Sequence, residues 1–170
     1  MKLILSAFCC AALCGLPALA QKPAAGAMTD QQFVDFAAQT DMLEAHLGQM
    51  AANQASRQDV KDYAQMLVSD HTSDYQKLGA LATKANLTEP QALDAAHNKM
   101  IAPLEKANGT AFDSNYIHAM IEGHTKAIAT YKKESTDAQS GDLKEYASEA
   151  LPTLQKHLDG AKELLKKPSK

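Results

Sequence analysis

The chain has 170 residues, with 17 Lys and Arg against 20 Asp and Glu, and a formal net charge of −3 at pH 7. Neither sign forms a long block, which argues against nucleic acid or an anionic membrane surface as the main partner. All three cysteines (Cys9, Cys10 and Cys14) lie near the N-terminus. The rest of the chain therefore has no disulfide and must be stabilised by its core.

The N-terminal segment has the pattern of a secretory signal peptide. Lys2 is followed by an apolar run at 3–16, and small residues occupy the −3 and −1 positions before Gln21. The apolar run is shorter than the roughly 20 residues that a membrane-spanning helix needs, and no later stretch approaches that length. We therefore expect residues 1–20 to be removed, 21–28 to be a flexible lead-in, and the mature protein to be periplasmic or secreted.

Four long amphipathic helices are predicted after this leader. Thr29 and Gln32 have the spacing of a capping box. Ser56, Thr110 and Asp142 are each followed three residues later by an acid, which favours a helix start at each position. The predicted helices are A at 30–54, B at 57–86, C at 110–139 and D at 142–167, within a bundle domain at 29–168.

The apolar residues of these helices recur with a period of about 3.5, which predicts an all-α bundle. The short breaks between A and B and between C and D predict two antiparallel hairpins. The longer segment at 87–109 is predicted to hold an extra helix at about 90–107, capped by Thr88 and bent or ended by Pro103. One long crossover between two hairpins, with B parallel to C, is the ferritin-like four-helix arrangement.

Polar residues interrupt the apolar stripe once in each helix, near mid-height. They are Glu44 in helix A, His71 in B, His124 in C and His157 in D, and Asp74 lies on the same face as His71. Three imidazoles and one or two carboxylates in one layer would suit a single divalent transition metal, Zn²⁺, Cu²⁺ or Fe²⁺. A carboxylate-bridged di-iron site is disfavoured, because the chain contains no Glu-x-x-His pair.

The same layer is also consistent with a buried hydrogen-bond network that fixes how the helices pack. In that case the protein would be a structural or interaction module with a protein partner in the cell envelope. An enzyme is the least supported class, since no nucleophile or cofactor motif accompanies the layer. Ser69, Asp70 and His71 are neighbours on one helix and cannot assemble a catalytic triad. The stripes do not determine an oligomeric state.

Four sequence blocks resemble the family called domain of unknown function 4142, and the resemblance covers about 29–165. The blocks are Thr40-x-x-x-Glu44, Val60-Lys61-Asp62-Tyr63-Ala64-x-Met66-x-x-x-Asp70-His71, Phe112-Asp113-x-x-Tyr116-x-x-x-Met120-x-x-x-His124 and Leu151-Pro152-x-Leu154-x-x-His157-Leu158. That family is exported, bacterial and classed with ferritin-like bundles. Its activity is unassigned, so the resemblance implies a fold and a location but no reaction.

The leader generates a first prediction. The mature protein should begin at Gln21 and occur in the periplasmic or secreted fraction, because the signal pattern ends there. Intact-mass measurement of the purified protein checks this expectation. A mass that still includes Met1 would contradict it, as would a mass increased by an attached lipid.

Overall fold

The computed structural model describes residues 28–167, and this part of the chain consists of five α-helices without a strand. The helices are α1 (Asp30–Gln54), α2 (Gln58–Lys84), α3 (Ala95–Glu105), α4 (Gly109–Asp137) and α5 (Gly141–Lys166). The predicted signal peptide and nearly all of the lead-in lie outside the described residues. Among the helices that are described, none is long and apolar enough to cross a membrane.

The helix directions follow from contacts at the two ends of the bundle. The turn between α1 and α2 lies beside the start of α4, since Ser56 and Arg57 bond to Asp113. The turn between α4 and α5 lies beside the start of α1, where the Ser140 N–H bonds to Asp30. Helices α1 and α2 are thus antiparallel, α4 and α5 are antiparallel, and α2 is parallel to α4. The predicted ferritin-like topology is confirmed.

The apolar core has two halves that occupy opposite ends of the bundle. One half includes Leu47, Leu67 and Phe112. The other includes Phe33 and Leu143. The buried polar residues of mid-height lie between these halves, so a polar layer separates the two apolar parts of the core.

The crossover differs from the prediction because its first part is held by α1 instead of forming a helix. The Gln31 side chain accepts from the N–H of Thr88 and donates to the carbonyl of the same residue, at 2.9 and 2.7 Å. Gln39 donates to the Ala92 carbonyl and accepts from the Asp94 N–H, both at 2.9 Å. The backbone groups are therefore satisfied without helical bonds. Helix α3 begins at Ala95 instead of near 90.

Asp94, not Thr88, is the residue that caps α3. Its side chain accepts from the His97 N–H at 2.8 Å. Pro103 lies inside α3 near its C-terminal end. The helix crosses the outside of the bundle and contacts α1 and α4.

Carboxylates from other helices bind the backbone of both hairpin turns, which the sequence did not predict. The capping box at Thr29 is present. Ser56, predicted to cap helix B, instead donates its hydroxyl to Asp113 at 2.6 Å. Asp113 also accepts the N–H groups of Ser56 and Arg57, at 2.9 and 3.0 Å. Thr110 and Asp142 are likewise not the caps of α4 and α5, whose N-cap positions are Asn108 and Ser140.

Asp113→Ala should lower the free energy of unfolding by about 2 kcal/mol, because it removes three hydrogen bonds that the partly buried donors of Ser56 and Arg57 make to a buried carboxylate. The measurement is urea denaturation followed by circular dichroism. Asp30→Ala is the matched control at the opposite end. It removes two N–H bonds from a less buried site, so a loss of about 1 kcal/mol is expected. Equal losses for the two variants would contradict this account.

Candidate metal centre

Three of the predicted residues meet in the middle of the bundle. His71 from α2, His124 from α4 and His157 from α5 are 3%, 1% and 1% exposed. Their ring centroids form a nearly equilateral triangle with sides of 5.7, 5.3 and 5.2 Å. One ring nitrogen from each lies within 4.8 Å of the corresponding nitrogens of the other two. Helices α2, α4 and α5 thus each contribute one imidazole to a common point.

His71 is oriented by a carboxylate of α1. Its Nδ1 lies 2.8 Å from Oδ1 of Asp41, which is 2% exposed. Burial raises the pKa of Asp41 to about 7, although the bond to His71 opposes the shift. Burial lowers the pKa of His71, but the hydrogen bond to Asp41 and the charges of the nearby carboxylates together outweigh burial, so the net shift of the pKa is upward. In the neutral ring, a hydrogen on Nδ1 that is donated to Asp41 leaves the lone pair on Nε2.

His124 is oriented by its own helix. Its Nδ1 donates to the Met120 carbonyl at 2.8 Å, so its Nε2 carries no hydrogen when the ring is neutral. Burial lowers the pKa of His124 to about 3, with the neighbouring charge of His71 acting in the same direction. The ring is therefore neutral over the physiological range.

His157 is held by a carboxylate of α2. Its Nε2 lies 2.9 Å from Oδ2 of Asp70, an arrangement that places the hydrogen on Nε2 and the lone pair on Nδ1. Burial lowers the pKa of His157, although the bond to Asp70 opposes the shift. With these tautomers, assigned from their acceptors, each ring has one N–H that is satisfied from outside the triangle.

The three remaining lone pairs face the middle of the triangle. Nε2 of His71 is buried and has no hydrogen-bond partner. Nε2 of His124 and Nδ1 of His157 lie 3.2 Å apart. Two nitrogens bound tetrahedrally to one ion at 2.0–2.1 Å would lie about 3.3 Å apart. The spacing of this pair and the orphaned nitrogen of His71 therefore fit three ligands of one metal ion.

Glu44 lies on the outer side of His124, away from the lone pairs. Its Oε1 is 3.8 Å from Nδ1 of His124, and the residue is 4% exposed. Burial raises the pKa of Glu44 to about 7, against the charge of His71. The carboxylate fits against α4 because Gly123 has no side chain there; a Cβ would come within 2.7 Å of Oε1.

Asp74, the fifth predicted site residue, is not brought into the histidine group. Its Oδ2 accepts a hydrogen bond from the Tyr146 hydroxyl at 2.7 Å. The Tyr146 hydroxyl is also 3.2 Å from that of Tyr131. Burial raises the pKa of Asp74. The group of potential metal ligands found within residues 28–167 comprises the three histidines alone.

Asp41 and Asp70 are the residues that the sequence reasoning missed as site components. Asp41 lies one turn before Glu44 on the same side of α1, so the spacing of the two residues could have indicated that Asp41 also faces the layer. Asp70 precedes His71, but its side chain points to His157 across the seam between α2 and α5. No spacing within one helix could have indicated that pairing.

Gly123→Ala should destabilise the protein by about 1–3 kcal/mol, because the added methyl group displaces the buried Glu44 carboxylate. In a Glu44→Ala background the same change should become neutral, or stabilising by up to about 1 kcal/mol, since alanine is the better helix former. Chemical denaturation of the wild type, the two single variants and the double variant gives the coupling free energy between positions 44 and 123. Gly141→Ala is the control, because nothing lies within 4 Å of its Cβ position. Additive effects at positions 44 and 123 would refute the contact.

Solved structures with the same fold share little sequence with this chain. CopM in its Cu(II)-bound form has a TM-score of 0.68 at 17% identity, over 81% of this chain and 95% of CopM. The silver-bound form of CopM has a TM-score of 0.66 at 18% identity, over 80% of this chain and 94% of CopM. A DUF305 fragment from Deinococcus radiodurans has a TM-score of 0.70 at 15% identity, over 82% of this chain and 97% of the fragment.

None of the curated proteins matches the sequence. The pattern of the family described as domain of unknown function (DUF4142) matches residues 16–164, which is most of the chain and includes α1 to α4 and all but the last two residues of α5. The resemblance seen in the four sequence blocks is thereby confirmed. The chain belongs to the DUF4142 family.

Proposed function

We propose that this protein binds one divalent transition metal ion, Zn²⁺ or Cu²⁺ before Fe²⁺, through His71, His124 and His157. The observation that carries the proposal is the convergence of three lone pairs whose rings are each held by an acceptor on the far side. Neutral imidazole is a good ligand for Zn, Cu and Fe. Glu44 acts as a buried partner of His124 in this proposal, and Asp74 belongs to the surrounding hydrogen bonds.

The charges around the layer favour a divalent ion. Asp41 and Asp70 each accept a hydrogen bond from a ligand imidazole, an arrangement that orients the ring and raises its basicity. Two carboxylates also balance the charge of one divalent cation, so the ion would be compensated although it is buried. CopM, which shares the fold, has structures with Cu(II) and with silver, so a bundle of this shape is compatible with bound metal.

The second candidate is a hydrogen-bond network that serves only packing, in a structural or interaction module of the cell envelope. The 3.2 Å contact between His124 and His157 favours it. In that network Nδ1 of His157 would donate to His124, and Nε2 would then need a second hydrogen to bond Asp70. Burial disfavours this cationic ring, since it lowers the pKa of His157. Nε2 of His71 would still lack a partner. The metal assignment satisfies all three rings.

The proposed location is the periplasm or the extracellular space. The support is the sequence of the leader, with a charged start, an apolar run and small residues before Gln21. An exported metal-binding protein would meet ions that are not buffered by the cytoplasm, and it would hold them without disulfides.

Metal should raise the thermal stability of chelator-stripped, untagged protein. A ligand that binds only the folded state stabilises it by about 2.7 kcal/mol at a hundredfold excess over Kd. Calorimetric melts with and without Zn²⁺ or Cu²⁺ check this, and His124→Ala should lose the increase. His46→Ala/His118→Ala is the control, because both of these histidines are exposed and outside the layer.

Two results would contradict the metal assignment. One is a wild-type melting temperature that no divalent transition metal raises. The other is an increase in His124→Ala that equals the wild-type increase. Either result would favour the packing network, in which the histidines contribute to stability without a ligand.

A further inference from the structure

A cleft of about 310 Å³ lies between α2 and α5 at the height of the histidine layer. Its walls include Ser73 and Asp74 from α2 and Thr153 from α5, and it also contacts His71 and His157. Because those two rings are almost wholly buried, they form the floor of the cleft. The cleft therefore brings solvent close to two of the three imidazoles.

Two other seams near this height are closed by tight contacts. Between α1 and α4, Glu44 lies directly against the backbone at Gly123. Between α1 and α2, a Cβ at Gly48 would come within 2.8 Å of Val68, so the two backbones are close. An ion that reaches the layer through either seam would have to separate packed helices. An ion that enters through the cleft between α2 and α5 would need only a movement of the imidazole rings that form its floor.

The charged groups of the cleft favour a cation. Lys77 is paired with Glu149 at 2.6 Å, so these two charges offset each other. Asp70 and Asp74 then face Lys156, which leaves an excess of negative charge. Asp70 is 37% exposed and also bonds His157, so a single carboxylate joins the cleft to the layer.

The unpaired nitrogen of His71 lies at the inner end of this cleft, where it could bind an ion that enters from solvent. Nε2 of His71 is buried without a hydrogen-bond partner, and the same residue lies at the floor. The His157 ring has its Nε2 on the cleft side, bonded to Asp70, and its Nδ1 on the opposite side, facing His124. The His157 ring therefore lies between Asp70 in the cleft and the coordinating Nδ1 edge at the triangle.

We propose that this cleft is the passage by which a divalent cation enters and leaves the histidine layer, with Asp70 and Asp74 as its first contacts. The proposal rests on the proposed metal function and adds the route. If the cleft is the passage, a side chain that blocks it should slow metal uptake and release while the three histidine ligands and the affinity stay the same.

The test is stopped-flow kinetics of Zn²⁺ with the stripped mature protein. Uptake is followed with a free-zinc indicator, and release is followed into excess chelator. Thr153→Phe fills the cleft from α5, where Thr153 is exposed and is not a ligand. It should slow uptake and release about tenfold each. Kd should therefore stay within about a factor of two.

Three further variants make the result specific. Ser73→Phe fills the cleft from the opposite wall, so the test stands even where Thr153→Phe does not fold. Asp74→Asn should slow uptake mainly at low salt, because it removes electrostatic attraction. Thr125→Phe is the matched control on α4, where Thr125 is exposed and outside the cleft. It should keep the wild-type rates.

The outcomes separate the two proposals. Wild-type uptake and release rates in folded Thr153→Phe and Ser73→Phe would overturn the passage and leave the metal site standing. A slowing as large in Thr125→Phe would also overturn it. Failure of the wild-type protein to take up Zn²⁺ or Cu²⁺ would overturn the metal function, and the passage with it.

Discussion

The arrangement of this bundle depends on the burial of three imidazoles between two apolar core halves. A neutral imidazole has one N–H, and burial of that donor without a partner would cost about 1–3 kcal/mol. Each N–H has an acceptor: Asp41 for His71, the Met120 carbonyl for His124 and Asp70 for His157. These acceptors fix the ring orientations. The direction of the three lone pairs toward one point is a consequence of that requirement.

Helix α1 has a different part in the layer from the other three long helices. It contributes no imidazole but two buried carboxylates, Asp41 and Glu44. Desolvation raises the pKa of each to about 7, so both would be destabilising groups without nearby positive charge or protons. A cation among the histidines would provide that charge. The acidic face of α1 and the imidazole faces of α2, α4 and α5 are complementary in this respect.

The ends of the bundle determine whether these faces meet at the same level. Asp113 binds the turn between α1 and α2, and Asp30 binds the turn between α4 and α5. These two contacts lie at opposite ends of α1 and α4, so they prevent the two helices from sliding past each other. The register that they fix brings Glu44 against Gly123 and, next to it, His124. Charged hydrogen bonds far from the layer therefore support its geometry.

The sequence by itself determined the helices, the ferritin-like topology and the shared height of Glu44, His71, His124 and His157. Axial position can be counted from residue numbers because each helical residue advances 1.5 Å. The helical period likewise shows which face is buried. The start of the crossover helix was not predictable in the same way, since Gln31 and Gln39 of α1 satisfy the backbone that local signals assigned to a helix.

Only the tertiary structure decided which polar groups pair. Asp70 binds His157 and not its neighbour His71, and Asp74 binds Tyr146 instead of joining the histidines. Such choices depend on the rotation of each helix about its axis and on side-chain directions across the seams between helices. The sequence pattern of one helix contains no information about the rotation of the next. Packing of the two core halves sets that rotation, and with it the donors and acceptors that meet.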